Sequence, residues 1–261
     1  MKIITSCVLS ALALSSVTGV SAAEAEKANV TRTFTDIVEP AEQQAYEAAV
    51  KTYNQCLGQQ KSKYKWLAWG HETGNTYMYS YAAGPYTWAD FDAMHEIGKT
   101  CDITWRKEAN PHLKSETSAF LIEMPDLSYT PKDFKDKDAK PALINVTFFN
   151  LKSTHEADGA FTDGIRKIVA AAEKSSWKGH YTFYRIRSGD KDAPDYLILS
   201  PYKNWAAYGA GADPGVWKMV ENVYGKQEGD ALHKSIDDSL QDVSSHVDSY
   251  NEELTYAPSG K

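Results

Sequence analysis

The sequence predicts an α+β chain made of two tandem βαββαβ units. Three observations support this: an internal repeat, the same order of strand and helix patterns in each copy, and a charged connector between the copies. Asn29-Val30-Thr31 returns as Asn145-Val146-Thr147, and Tyr46 and Val50 return as Phe161 and Ile165. Trp66, Trp69 and Gly74 correspond to Tyr181, Tyr184 and Gly189. Pro85-Tyr86-Thr87-Trp88 aligns with Pro201-Tyr202-Lys203-Asn204-Trp205, and Leu127-Ser128-Tyr129-Thr130-Pro131 with Leu254-Thr255-Tyr256-Ala257-Pro258. The blocks keep their order along the chain.

Each copy opens with a strand rich in Thr, Val and Phe, near residue 30 and near residue 143. Such residues suit a pleated surface. A helix follows, opened by Pro40-Ala41-Glu42 and striped by Ala45, Tyr46, Ala49, Val50 and Tyr53; Ala160, Phe161, Ile165, Ile168, Val169 and Ala172 repeat the stripe. Two strands come next, over 63–70 and 76–82, joined by the turn-forming Glu72-Thr73-Gly74-Asn75. Their counterparts are 179–187 and 195–200. A second helical region is expected near 88–108 and over 214–244, and a closing strand over 120–123 and 247–250. The units therefore span 23–131 and 142–261, with residues 132–141 (KDFKDKDAKP) as the charged linker.

Residues 1–22 read as a secretory signal. Lys2 supplies the positive start, a short apolar run follows, and Val20-Ser21-Ala22 offers small residues for cleavage near Ala22. The run is too short for a membrane span, and Glu24-Ala25-Glu26-Lys27 follows at once. The expected location is the periplasm or the exterior, with no membrane insertion after cleavage. Cys56 and Cys101 are then an even pair in an oxidising compartment, on helices that neighbour each other in a βαββαβ unit, so a disulfide within copy one is predicted. The formal net charge of −7, made more negative by loss of Lys2, and the lack of a basic stripe argue against nucleic acid as a partner.

Two βαββαβ units can cover each other's open sheet faces. The repeat pattern and topology thus resemble the dimeric α/β-barrel superfamily, with two ferredoxin-like units packed sheet to sheet as a pseudo-dimeric barrel in one chain. The resemblance extends over nearly all of the chain after the signal but includes no catalytic signature. It implies a range of activities: cofactor-independent monooxygenases, haem enzymes of the chlorite dismutase type, and members without known activity.

Alternation along the strands suggests what lines the interior. Taking Leu197 and Leu199 as the helix-facing side of their strand turns Tyr196, Ile198 and Ser200 inward, and by alignment Tyr77, Tyr79 and Tyr81 as well. On the neighbouring strand Tyr181 and Phe183 read as helix-facing, leaving His180, Thr182 and Tyr184 inward, with Trp69 and His71 equivalent in copy one. The candidate lining of a cavity between the repeats is therefore Trp69, His71, Tyr77, Tyr79, Tyr81, His180, Tyr184 and Tyr196. Such a cavity suits a small apolar or aromatic molecule. The competing reading is a packed sheet interface of tyrosines.

Other constellations are weaker. Asp92, His95 and Glu96 share a helix face but find no second cluster to complete a metal shell, and Asp237 and Asp238 diverge on theirs. No metal site is assigned. His180 and His233 would be the haem candidates, without a local signature, and no cofactor is assigned. Hydrolase, zinc-protease, phosphate-loop and c-type haem motifs are absent from the sequence. Three functional classes follow: a binder of a small apolar or aromatic molecule, which is the preferred reading; a cofactor-independent or haem-dependent oxidoreductase of the monooxygenase type using the same cavity; or a structural module.

Overall fold

The computed structural model describes residues 27–134 and 140–258. The signal read over 1–22 and residues 135–139 of the linker lie outside the described residues. The first half runs β1 (Val30–Val38), α1 (Gln43–Gln59), β2 (Trp66–His71), β3 (Met78–Tyr86) and α2 (Trp88–Thr104), then a π-helical turn (Trp105–Ala109) and β4 (Leu113–Glu123). The second half runs β5 (Leu143–Leu151), α3 (His155–Ser175), β6 (Thr182–Ser188) and β7 (Tyr196–Tyr202). Three helices follow, α4 (Trp205–Ala210), α5 (Val216–Tyr224) and α6 (Lys226–Ser239), and β8 (Leu240–Tyr256) ends the order.

The architecture is α+β: the eight strands close into one antiparallel barrel in the order β1-β3-β2-β8-β5-β7-β6-β4. Two seams between the halves complete it. β2 pairs with β8 through Trp69↔Tyr250 and His71↔Asp248, and β4 pairs with β6 through Leu121↔Ile186 and Glu123↔Tyr184. The closing strands are longer than the sequence pattern suggests. β8 starts at Leu240, so 240–244 is strand rather than helix, because its first part pairs with β5 and its second with β2.

Helices cover the outer face of the barrel. In the second half Phe161, Ile165 and Ile168 of α3 pack on Phe183 and Tyr196, with Met219 of α5 and Leu232 of α6 alongside. In the first half Tyr46 and Val50 of α1 pack on Tyr79 and Tyr81. The lumen is filled by Trp69, Ile144 and Val146, with Leu67, Phe148, Leu199 and Tyr250 against them.

This corrects the faces assigned to β3 and β7. Tyr79 and Tyr81 point toward α1, and Tyr196 toward α3, where its hydroxyl donates to Asp158 Oδ1 at 2.7 Å. Leu199 lies in the lumen. A closed barrel covered by helices buries both faces of its strands, so apolar side chains do not reveal which face meets the helices. Size decides instead: on β3, Ser80 and Ala82 occupy the lumen side between the outward tyrosines. Tyr77 precedes β3 and is exposed, and His180 precedes β6, its ring 4.2 Å from that of Phe134. The β2 and β6 assignments agree with the structure for Trp69, His71 and Tyr184, which face the lumen.

Cys56 on α1 and Cys101 on α2 form the disulfide predicted from the sequence, tying together the two helices over the first half. Among the described residues no helix is long and apolar enough to cross a membrane. Because the bridge closes a loop of 45 residues, replacing both cysteines by serine is expected to lower unfolding stability by roughly 2–4 kcal/mol in urea titrations. Non-reducing mass mapping that found both thiols free would remove the bridge.

Candidate functional site

The first half is hollow under its helices. A cavity of about 410 Å³ lies between the outer face of its sheet and α1, α2 and the π-helical turn. β1 supplies the floor through Arg32, Phe34 and Asp36, which alternate with Thr33 and Thr35 on the other face. Trp66 of β2 and Tyr81 of β3 flank it. Tyr53, Phe91 and Trp105 form an aromatic roof, Tyr53 stacking on Trp66 with ring centres 5.3 Å apart. His95, Lys99, Asp102 and Arg106 make a charged rim.

Local sequence explains the placement. Thr87 caps α2 reciprocally with Asp90, and so fixes where the helix starts over the sheet. Gly84 of β3 meets β1 so closely that a Cβ there would lie 2.8 Å from the Thr31 Cα. At this point the β1–β3 register shifts between Val30 and Arg32, just before the residues of the floor.

Asp36 is fully buried. One carboxylate oxygen, Oδ2, accepts from the Tyr46 hydroxyl at 2.5 Å, and the Tyr46 oxygen lies 2.7 Å from the Tyr81 hydroxyl. With its own proton on Asp36, Tyr46 can only accept from Tyr81, so the three groups form a directed chain. The other oxygen, Oδ1, is buried outside this chain, and the Glu116 side chain is within hydrogen-bonding reach of the same carboxyl. Burial pushes the Asp36 carboxyl up to about 7, opposed by the Tyr46 hydrogen bond and reinforced by Glu116. Burial likewise raises Tyr46 and, well above its ordinary value, Tyr81. The Glu116 carboxyl is raised by partial burial and held back by Asp36 and Arg32. Arg32 lies over the Phe34 and Phe120 rings, and its Nε is buried and unpartnered. A buried carboxyl poised near neutrality at the wall of an aromatic chamber has the proton affinity of a general acid or base.

Of the eight residues read from the sequence as a cavity lining, only Tyr81 lines this cavity; His95, read as a weak metal candidate, stands at its rim. Tyr79 lies behind it, bonded to Glu47 of α1 at 2.7 Å. Trp69 and His71 are in the lumen, Tyr184 faces it from β6, and Tyr196 belongs to the second half's core. Asp36, Arg32 and Glu116 were missed. The available signal was a strand, Val30–Val38, carrying Arg32 and Asp36 on the face of Phe34, a charge pattern that a purely structural strand avoids.

Two metal-type sets can be compared. Asp92, His95 and Glu96 stand exposed on α2, with Glu96 bonded to Lys99. Among the described residues, His71, His246 and Asp248 bring ligand atoms within 4.8 Å of one another inside the barrel. A haem does not fit the cavity under α1 and α2. An axial histidine must enter a deep pocket, and His95, the histidine among those lining it, is exposed at the rim. His233 is out on α6, stacked on Trp217, and His180 meets Phe134.

No protein-family model matches the chain, and no curated protein matches it. Solved structures do. A candidate monooxygenase from Lactobacillus acidophilus aligns at 10% identity and TM-score 0.51, covering 89% of this chain and 97% of the other. An anthrone oxidase-like protein aligns at 7% identity and TM-score 0.55, covering 90% and 98%. A variant chlorite dismutase from Candidatus Nitrospira defluvii, in complex with cyanide, aligns at 9% identity and TM-score 0.53, covering 86% and 92%. At these identities the likeness shows the fold, and that fold is the dimeric α/β barrel.

The raised Asp36 carboxyl has a pH signature. Its folded value, about 7, lies above the ordinary value of 3.8, so the folded chain binds this proton more tightly than the unfolded chain. Its contribution to stability is complete below about pH 4 and is lost as pH rises through about 7. Asp36→Asn lacks that dependence, so the stability of the variant relative to wild type should climb across this window and level off above it. Urea unfolding that showed a constant gap from pH 4 to pH 8 would contradict the raised carboxyl.

Proposed function

We propose that this chain, a dimeric α/β barrel by fold, binds a small aromatic molecule bearing an acidic proton in the cavity between its first sheet and α1 and α2. The observation behind this reading is the buried Asp36 carboxyl, which stands among the lining residues of an aromatic chamber. The site lies within the first half rather than between the repeats.

The chemistry follows from the residues. A phenolic or enolisable guest gives its proton to the Asp36 carboxylate, which the Tyr46–Tyr81 pair steadies through Oδ2. Arg32, with its unpartnered Nε, balances the negative charge left on the guest. An electron-rich carbanion or phenolate of this kind reacts with dioxygen: a ring methylene gains one oxygen atom as a carbonyl, and its two hydrogens leave with the second oxygen as water. The reading is therefore a cofactor-independent oxidoreductase of the monooxygenase type. The names of the fold neighbours favour it over a binder without turnover.

The matching strand orders, β4-β1-β3-β2 and β8-β5-β7-β6, support reading the halves as two ferredoxin-like units from one duplication. The disulfide supports reading 1–22 as an export signal removed near Ala22.

Anthrone and 1-naphthol are suitable probes. Both should raise the melting temperature of the chain, and Trp66→Ala should abolish the rise. Anthrone-dependent oxygen uptake should increase through about pH 7, following Asp36, and fall roughly 10²–10⁴-fold in Asp36→Asn. A thermal shift without oxygen uptake would leave a binder only; no shift with either probe would end the cavity assignment.

A further inference from the structure

The barrel lumen holds a second constellation on the opposite face of the sheet from Asp36. His71 closes β2, and directly across the seam stands Asp248 of β8; His246 lies two residues before it on the same face. The two imidazole rings stack with centres 4.2 Å apart. Asp248 Oδ1 is 3.2 Å from His246 Nε2 and 3.7 Å from His71 Nε2, and the Ser80 hydroxyl is 2.9 Å from the same His71 nitrogen.

Hydrogen bonding does not account for this arrangement. The Asp248 side chain is 2% exposed, yet its Oδ1 is buried without a directed donor. Leaving a carboxylate oxygen buried and unpartnered is costly. Phe148 backs His246, its ring centre 5.4 Å away, and Trp69 and Tyr250 are the next lumen pair along the seam.

We infer that His71, His246 and Asp248 form a binding site for one divalent transition-metal ion of the zinc class, with the Ser80 hydroxyl or a water completing the shell. Two imidazoles and a carboxylate are borderline donors that suit Zn²⁺ and Co²⁺ over Mg²⁺ or Ca²⁺. Tetrahedral zinc with bonds of about 2.1 Å places its donors roughly 3.4 Å apart. Two of the present separations, 3.2 and 3.7 Å, bracket that value, and all three ligand atoms lie within 4.8 Å of one another. A small turn of one ring closes the set. The ligands come from paired strands, so the backbone is already in place, and the 17% exposure of the His246 side chain gives an ion a way in.

The test uses the untagged full chain, stripped with EDTA and dialysed. Titration with Co²⁺ should give visible d–d absorption saturating at one ion per chain, displaced by one equivalent of Zn²⁺. Losing an outer-shell partner typically weakens a metal site about 10–100-fold, so Asp248→Asn and His246→Gln should each weaken Co²⁺ binding by more than roughly 100-fold. His246 is partly exposed, so its variant keeps the test valid if the Asp248 variant does not fold. Asp36→Asn should bind Co²⁺ as wild type does, which separates this site from the cavity under α1 and α2. Absence of saturable binding at one equivalent would overturn the site, as would binding unchanged in His246→Gln.

Discussion

Closure of the barrel is the constraint on which everything else here depends. The β2–β8 and β4–β6 seams turn eight strands into a ring without free edges. Each strand then has two buried faces, one lining the lumen and one meeting the helices. Asp36 and His71 therefore occupy separate environments only a few strands apart, because the sheet stands between them. The β2–β8 seam also brings His71 opposite Asp248, a juxtaposition that neither half could make alone.

The halves use this common frame differently. In the second, α3, α5 and α6 press an extensive apolar cluster onto the sheet, with Phe161 and Phe183 fully buried. In the first, a smaller cluster around Tyr46 and Val50 leaves room beside it. The second half thus supplies most of the apolar burial, while the first tolerates a buried carboxyl whose raised proton affinity records a cost in stability above neutrality.

Part of this was legible in the sequence. The α+β class, the barrel resemblance and the disulfide follow from local patterns and cysteine parity. Orientation was harder. Leu197 and Leu199 read as a helix-facing stripe, yet Leu199 fills the lumen, because a barrel interior is as apolar as a helix interface. The alternation therefore turns the tyrosines of β3 inward, whereas Tyr79 and Tyr81 pack on α1. The Asp36 chain depends on Tyr46, which as a sequence looks like one more apolar position on α1. His246 and Asp248 went unnoticed because their partner lies in the other half, and no spacing rule reaches across a seam made by tertiary pairing.

The bridge between Cys56 and Cys101 has a kinetic consequence. It fastens together the two helices that roof the cavity, so they cannot part as independent flaps. The open side of the cavity is the rim of His95, Lys99, Asp102 and Arg106, where rearrangement is by side-chain rotation. Exposed side chains turn within picoseconds to nanoseconds, whereas helix separation takes microseconds or longer. For the guest proposed above, the bridge thus favours entry by side-chain rotation at a charged rim over separation of the two helices.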